Sequence, residues 1–275
     1  MPSYFLRNGL IALLLLASTV LQAQGDLLIT PKRLVFDGTK RAEEINLANI
    51  GKDTATYTIS FIQYKMNENG NFVITDENDS TQQFAHKNLR FFPRTVTLAP
   101  NEAQSVKVQL IKTSELSPGE YRSHLYFRNV INNSALGEEK QTPANESGIS
   151  VNLKPVFGIS IATIIRVGDG KAEATIAEPR FLASKDTAIS FTIHRSGNFS
   201  LYGDIKITHI SPAGKNTEVA LMKGLAVYTP NTLRKVKVPL SRIQAINSKE
   251  GKFLIEYTAQ TPAKSLLATA EISLN

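Results

Sequence analysis

Residues 149–165 read ISVNLKPVFGISIATII, and the fold prediction starts from this stretch. Seven of its nine odd-numbered positions carry large apolar side chains, whereas most even-numbered positions are small or polar. A period of two is typical of a β-strand with one buried face. Seventeen residues with one period is about three times the usual strand length. We therefore expect part of the apolar row to face something outside its own domain.

Two interpretations of this stretch are open from the sequence alone. In the first, residues 149–165 form one long edge strand that is held ready to pair with another chain. In the second, Pro155 or Gly158 breaks the stretch into two strands that pack within the protein. The preceding residues, 131–148, are polar and without periodicity. Long irregular segments of this kind are often functional loops.

The rest of the chain repeats a pattern of short strands separated by turns. Runs rich in β-branched and aromatic residues alternate with turn signals such as Asn69-Gly70 and Pro118-Gly119, and no stretch has a convincing helical period. A weak echo links ITPKRLVF at 29–36 to IAEPRFLA at 176–183. We predict an all-β protein with two immunoglobulin-like β-sandwich domains, at residues 24–166 and 171–275.

Composition and motifs favour a protein without catalytic residues, metals or cofactors. The 275 residues include no Cys, which excludes disulfides, thiolate metal sites and a Cys nucleophile. The four His are dispersed, and no phosphate-binding loop or nucleophile motif is present. The net charge of +7 is spread over the predicted strands without a basic, aromatic-rich patch, so nucleic-acid binding is not expected.

The first 23 residues are predicted to be a signal peptide. Arg7 precedes an apolar run from Leu10 to Leu21, which is too short for a spanning helix but suits a signal-peptide core. A membrane anchor is the alternative interpretation. Nothing later in the sequence is apolar enough to span a bilayer, so we expect an exported protein without stable membrane insertion.

Three further stretches carry a family resemblance. They are KRLVFDG at 32–38, FFPRTVTLAPNEAQSVKVQL at 91–110 and LSPGEYRSHLYF at 116–127. Together with the long strand, they resemble the periplasmic chaperones of the chaperone–usher pilus pathway. The resemblance covers residues 27–166, while the second domain shares only the rhythm of strands. It implies two immunoglobulin-like domains in a boomerang arrangement and a location in the periplasm.

In that family, the chaperone lends its long edge strand to an incomplete pilus or fimbrial subunit and delivers the subunit to an outer-membrane usher. The resemblance implies that an Arg on the first strand and a Lys on the long strand anchor the C-terminal carboxylate of the subunit. Arg33 and Lys154 match these positions; in another register, leading to Arg166, Ser160 or Ala162 stands in place of the Lys. The side chains implied to enter the groove of the subunit are those of Ile149, Val151, Leu153, Phe157, Ile159 and Ile161.

An exported structural or adhesive protein with two immunoglobulin-like domains is the main alternative function. In that case both faces of the long strand are covered within the protein. Self-association through the edge strand is a further arrangement that the sequence leaves open.

Overall fold

The structure, a computed structural model, describes residues 26–130, 157–183, 187–261 and 263–274. The predicted signal peptide, the loop at 131–148 and Lys154 lie outside these ranges. Within them almost every element is a β-strand, and the helical elements are single turns at His86–Asn88, Thr113–Glu115 and Ile243–Ala245. The all-β prediction is confirmed.

Eleven of the strands that the structure describes lie within the first 167 residues. Nine of these form two facing sheets, with the strand orders β1-β3-β9-β7 and β2-β11-β10-β4-β8, and β5 and β6 form a separate hairpin. The strands are β1 (Leu27–Thr30), β2 (Arg33–Phe36), β3 (Ala42–Asn49), β4 (Ala55–Ile62), β5 (Tyr64–Met66), β6 (Phe72–Ile74), β7 (Leu89–Phe92), β8 (Thr95–Leu98), β9 (Ala103–Leu110), β10 (Gly119–Asn129) and β11 (Gly158–Val167).

The first sandwich closes around the alternate side chains of these strands. Ile45 and Leu47 from β3 meet Leu125 and Phe127 from β10, and all four are fully buried. Their spacing of two residues is the alternation that the sequence predicts. The opening segment divides between the sheets, because β1 pairs antiparallel with β3 whereas β2 pairs parallel with β11.

The second sandwich has the strand orders β12-β13-β16 and β15-β14-β17-β18. A separate core fills it, with Ile205, Ile207, Phe253 and Tyr257 among its fully buried side chains. The strands are β12 (Ala172–Leu182), β13 (Ala188–Gly197), β14 (Leu201–Ile210), β15 (Asn216–Val227), β16 (Leu233–Pro239), β17 (Gly251–Ala259) and β18 (Leu266–Leu274).

A third, smaller cluster joins the two sandwiches. Ala162 and Ile164 on β11 pack with Met66, the last residue of β5. They also pack with Ala226 on β15 and with Tyr228, which directly follows β15. The odd-numbered residues of β11 face the opposite side of the strand, toward the core of the first sandwich. Both faces of β11 are therefore buried where it crosses the joint, which accounts for its long apolar run.

Candidate functional site

Over its first residues, Gly158–Ile161, the edge of strand β11 away from β10 pairs with none of the described strands, and we call this stretch the open edge. The strand pairs with β10 along its whole length, but its pairing with β2 begins only at Ala162. The backbone N–H of Asn129 donates to the Phe157 carbonyl at 3.0 Å, so the backbone groups of Phe157 and of alternate residues after it face β10. The N–H and C=O groups of Gly158 and Ser160 therefore point away from β10, where no described residue bonds to them.

Arg33 lies directly beside the open edge. Its register partner on β11 is Ala162. The guanidinium carbon lies 4.2 Å from the ring centre of Tyr202 and 5.9 Å from that of Tyr228, and both rings belong to the second sandwich. The Arg33 Nε is buried and has no hydrogen-bond acceptor among the described residues. Stacking on Tyr202 fixes the plane of the guanidinium group.

A cleft of about 850 Å³ separates the two sandwiches at this point, and Arg33 is part of its wall. Its charged lining residues are Lys32, Arg33, Arg166 and Lys223, and no described acidic residue lines it. Lys32, Arg33 and Lys223 form no ion pair within the part of the chain described. The cleft is therefore suited to a negatively charged group.

The fourth cation, Arg166, is already paired and ties the two sandwiches together. Its Nε donates to the buried carboxylate of Glu120 at 3.0 Å, and its Nη2 donates to the Ser200 carbonyl at 3.1 Å. Glu120 also accepts hydrogen bonds from the backbone N–H of Ser200, at 3.0 Å, and from the Ser200 hydroxyl. Arg166 and Glu120 thus form a neutral joint rather than a binding group.

Two buried polar side chains behind Arg33 were missed by the sequence analysis. Arg122 stacks on Tyr228 with its guanidinium carbon 4.1 Å from the ring centre, and its Nη2 donates to the Tyr64 carbonyl at 3.3 Å. His124 makes an edge contact with the Tyr64 ring, with the ring centres 5.0 Å apart. Burial, and then the charge of Arg122, lower the pKa of His124 to about 3, so the imidazole is neutral at ordinary pH.

The predicted groove residues have different surroundings in the structure. Phe157 is 56% exposed, Ile159 packs partly buried against the first core, and Ile161 is 5% exposed inside that core. The odd-numbered row of β11 turns into its own sandwich at Ile161, and the contact of Ile161 with a subunit stays a prediction. The remaining predicted residues, Ile149, Val151, Leu153 and Lys154, lie outside the described residues.

The structure offers no metal centre in the residues it describes, since none of their His, Asp and Glu side chains are grouped to hold an ion. In the same residues, no helix is long and apolar enough to cross a membrane.

Comparison with solved structures returns pilus and fimbrial chaperones. The YadV chaperone has 11% identity and a TM-score of 0.45, with 91% of this chain and 100% of that chain covered. The CupB2 chaperone of Pseudomonas aeruginosa has 10% identity and a TM-score of 0.43, with 90% and 100% covered. The E. coli chaperone DraB has 14% identity and a TM-score of 0.42, with 90% and 96% covered. No family model and no curated protein matches the chain.

Proposed function

We propose that the protein is a non-enzymatic periplasmic chaperone that captures pilus or fimbrial subunits and delivers them to an outer-membrane usher. The observation that carries this proposal is the open edge of β11, at Gly158–Ile161, immediately beside Arg33 in a cleft that no described acidic residue lines. An open strand edge and a fixed cation next to it are complementary to a polypeptide that lacks one strand and ends in a carboxylate.

In this mechanism the incomplete sandwich of the subunit adds its own edge to β11. The outward N–H and C=O groups of Gly158 and Ser160 pair with the backbone of the subunit, so affinity depends little on the sequence of the captured strand. Arg33 holds the C-terminal carboxylate of the subunit through charge-assisted hydrogen bonds and thereby fixes the register of pairing. Unpaired edges of the subunit are covered until the usher receives it.

In this proposal, the apolar side chains that enter the subunit come before Ala162 in the sequence, that is, before the part of β11 that is buried at the joint. Phe157 is the exposed member among the described residues. Ile149, Val151 and Leu153 continue its odd-numbered row, each contributing about 1.5–3 kcal/mol on full burial. Ile159 packs partly against the first core. It lies between the residues proposed to enter the subunit and those buried in the protein's own core. Lys154 remains the proposed second anchor on the long strand.

One observation favours the second candidate, an exported structural or adhesive protein. Both faces of β11 are covered within the protein at Ala162–Ile165, as that alternative requires. The open edge at Gly158–Ile161 is not accounted for by it, because an internal strand would have partners on both sides.

Co-expression with a candidate fibre subunit tests the chaperone function. The tagged protein is isolated from the periplasm of a bacterial host and the subunit bound to it is quantified. We expect the wild type to retain the subunit, Arg33→Ala to lose about 90% of it, and the exposed-residue control Arg41→Ala to behave as wild type. Retention of the subunit by folded Arg33→Ala would show that the anchor is assigned to the wrong residue. Recovery of the wild type without subunit would favour the structural alternative.

A further inference from the structure

The β5–β6 hairpin, residues 64–74, reaches from the first sandwich to strand β16 of the second. It follows β4 after a single residue, and among the described strands β5 and β6 pair only with each other. A two-stranded hairpin on its own is marginally stable in water, so this one depends on the surfaces that it contacts. Several of those contacts are with the second sandwich.

The hairpin is bonded to the outer edge of β16 through the backbone. Strand β16 ends its sheet and pairs only with β13 among the described strands. The backbone N–H of Lys235 points away from β13 and donates to the Glu68 carbonyl at 2.7 Å. Lys235 Nζ also lies 3.0 Å from Glu68 Oε2, in an exposed ion pair that adds little by itself. At Lys235 the hairpin therefore takes the place of a neighbouring strand.

Two side chains of the second sandwich hold the hairpin near this bond. Asn231 Nδ2 donates to the Met66 carbonyl at 2.8 Å. The guanidinium group of Arg234 lies against Gly70, where a Cβ atom would collide with it, and its Nη1 donates to the Ala226 carbonyl at 2.5 Å. Gly70 has a φ of +82°, which favours glycine for a second reason. The hairpin turn is thus seated on a side chain that the second sandwich itself holds.

The hairpin contacts lie apart from the other polar connection between the sandwiches. That connection joins Glu120 to Arg166 and Ser200. A single attachment leaves two bodies free to rotate about it, whereas a second attachment at another place removes this freedom. Linked domains move relative to each other unless their interface holds them.

We propose that the β5–β6 hairpin is a strap that fixes the angle between the two sandwiches. Its contact residues on β16 and before it, residues 231–235, do not line the cleft beside Arg33. The strap therefore sets the width of that cleft from outside it. The proposal concerns the free protein and does not depend on the capture of a subunit.

Distances between two spin labels, measured by pulsed electron paramagnetic resonance, test the strap. Because the chain has no Cys, labels attach only to the introduced Lys107→Cys and Lys215→Cys, at exposed positions of the first and second sandwich. Lys235→Pro removes the N–H that reaches Glu68 and leaves the pairing with β13, since an edge strand tolerates proline at an outward N–H. We expect this variant to widen the distance distribution at least about twofold.

Lys237→Pro is the matched control. Lys237 lies two residues further along β16, so its N–H points to the same side, and no described residue accepts it. We expect its distance distribution to keep the wild-type width within about 20%. Hydrogen exchange of the unmodified protein gives a second measurement, in which the Lys235 amide should be at least about a hundredfold better protected than the Lys237 amide.

The strap is refuted if folded Lys235→Pro keeps the wild-type distance distribution, or if Lys237→Pro widens it equally. Should Lys235→Pro not fold, the two amides decide, because equally rapid exchange at Lys235 and Lys237 would overturn the hairpin contact. A strap confirmed in the free protein together with a failure to capture any subunit would leave the strap standing and refute the chaperone function alone.

Discussion

His124 is expected to make the stability of the protein depend on pH. The imidazole is 4% exposed and packs among the rings of Tyr64, Phe72 and Tyr228. Burial, and then the charge of Arg122, lower its pKa from 6.5 to about 3. The unfolded chain therefore binds a proton that the folded protein rejects between these two values. The free energy of unfolding is therefore unaffected by His124 above pH 6.5, and it decreases as the pH falls from 6.5 toward 3.

The size of this loss follows from the two pKa values. Below pH 6.5 each pH unit removes about 1.4 kcal/mol, so the loss between pH 7 and pH 5 is about 2 kcal/mol. The free energy of unfolding is measured from urea denaturation at both pH values for the wild type and for His124→Phe. Phenylalanine keeps an aromatic ring in the cluster and cannot be protonated.

We expect the wild type to lose about 2 kcal/mol more than His124→Phe between pH 7 and pH 5. The pKa of His86 is also lowered, mainly by burial, and contributes equally to both proteins, so the difference isolates His124. The exposed His194 provides the matched control, and His194→Phe should follow the wild-type profile. Equal losses in the wild type and in a folded His124→Phe variant would refute the buried, neutral state of His124.

Two further predictions concern the strand and the joint. Ile161→Asp should destabilise the first sandwich by about 4 kcal/mol, because it buries a carboxylate in the core, whereas Phe157→Asp should change stability by less than about 1 kcal/mol. Urea denaturation separates the two, and similar losses in both would contradict the assignment of Ile161 to the core. Glu120→Gln should leave Arg166 without its anion at a cost of about 3 kcal/mol and split thermal unfolding into two transitions in calorimetry. A single unchanged transition would show that the Glu120–Arg166 pair does not couple the sandwiches.

The sequence predicts the fold class well because strand alternation is a local signal. Ile45 and Leu47 on β3, or Leu125 and Phe127 on β10, mark the core side of their strands two residues apart. Turn signals such as Asn69-Gly70 then separate the strands, and Gly70 adopts a φ of +82° in the tight turn between β5 and β6. These features need no knowledge of distant parts of the chain.

The sequence predicts the surroundings of β11 only in part. Its odd-numbered residues are apolar as expected, but the sequence does not indicate whether the first sandwich, the second sandwich or another chain covers each of them. Ile161 belongs to the core of its own sandwich, while Ala162 and Ile164 meet the second sandwich. Coverage of this kind depends on how two domains pack, which the alternation of a single strand does not encode.

Other parts of the candidate site depend on contacts between distant residues. Arg122 and His124 lie on the polar face of β10, so the sequence predicts that they face solvent. In the structure they are buried, because Tyr228 of the second sandwich packs against them. The pairing of Lys223 and Gly224 with Asp204 is a register irregularity that only the folded β14–β15 hairpin reveals. The Lys-Gly dipeptide at 223–224 is a weak signal for such an irregularity.

Hydrogen exchange at the open edge tests whether a subunit is captured by pairing with β11. The backbone amides of Gly158 and Ser160 are followed in the free protein and in the complex with a co-expressed fibre subunit. We expect rapid exchange in the free protein and at least about a hundredfold protection in the complex, since both amides gain backbone partners from the subunit. Formation of a stable complex in which both amides exchange as rapidly as in the free protein would contradict capture through β11.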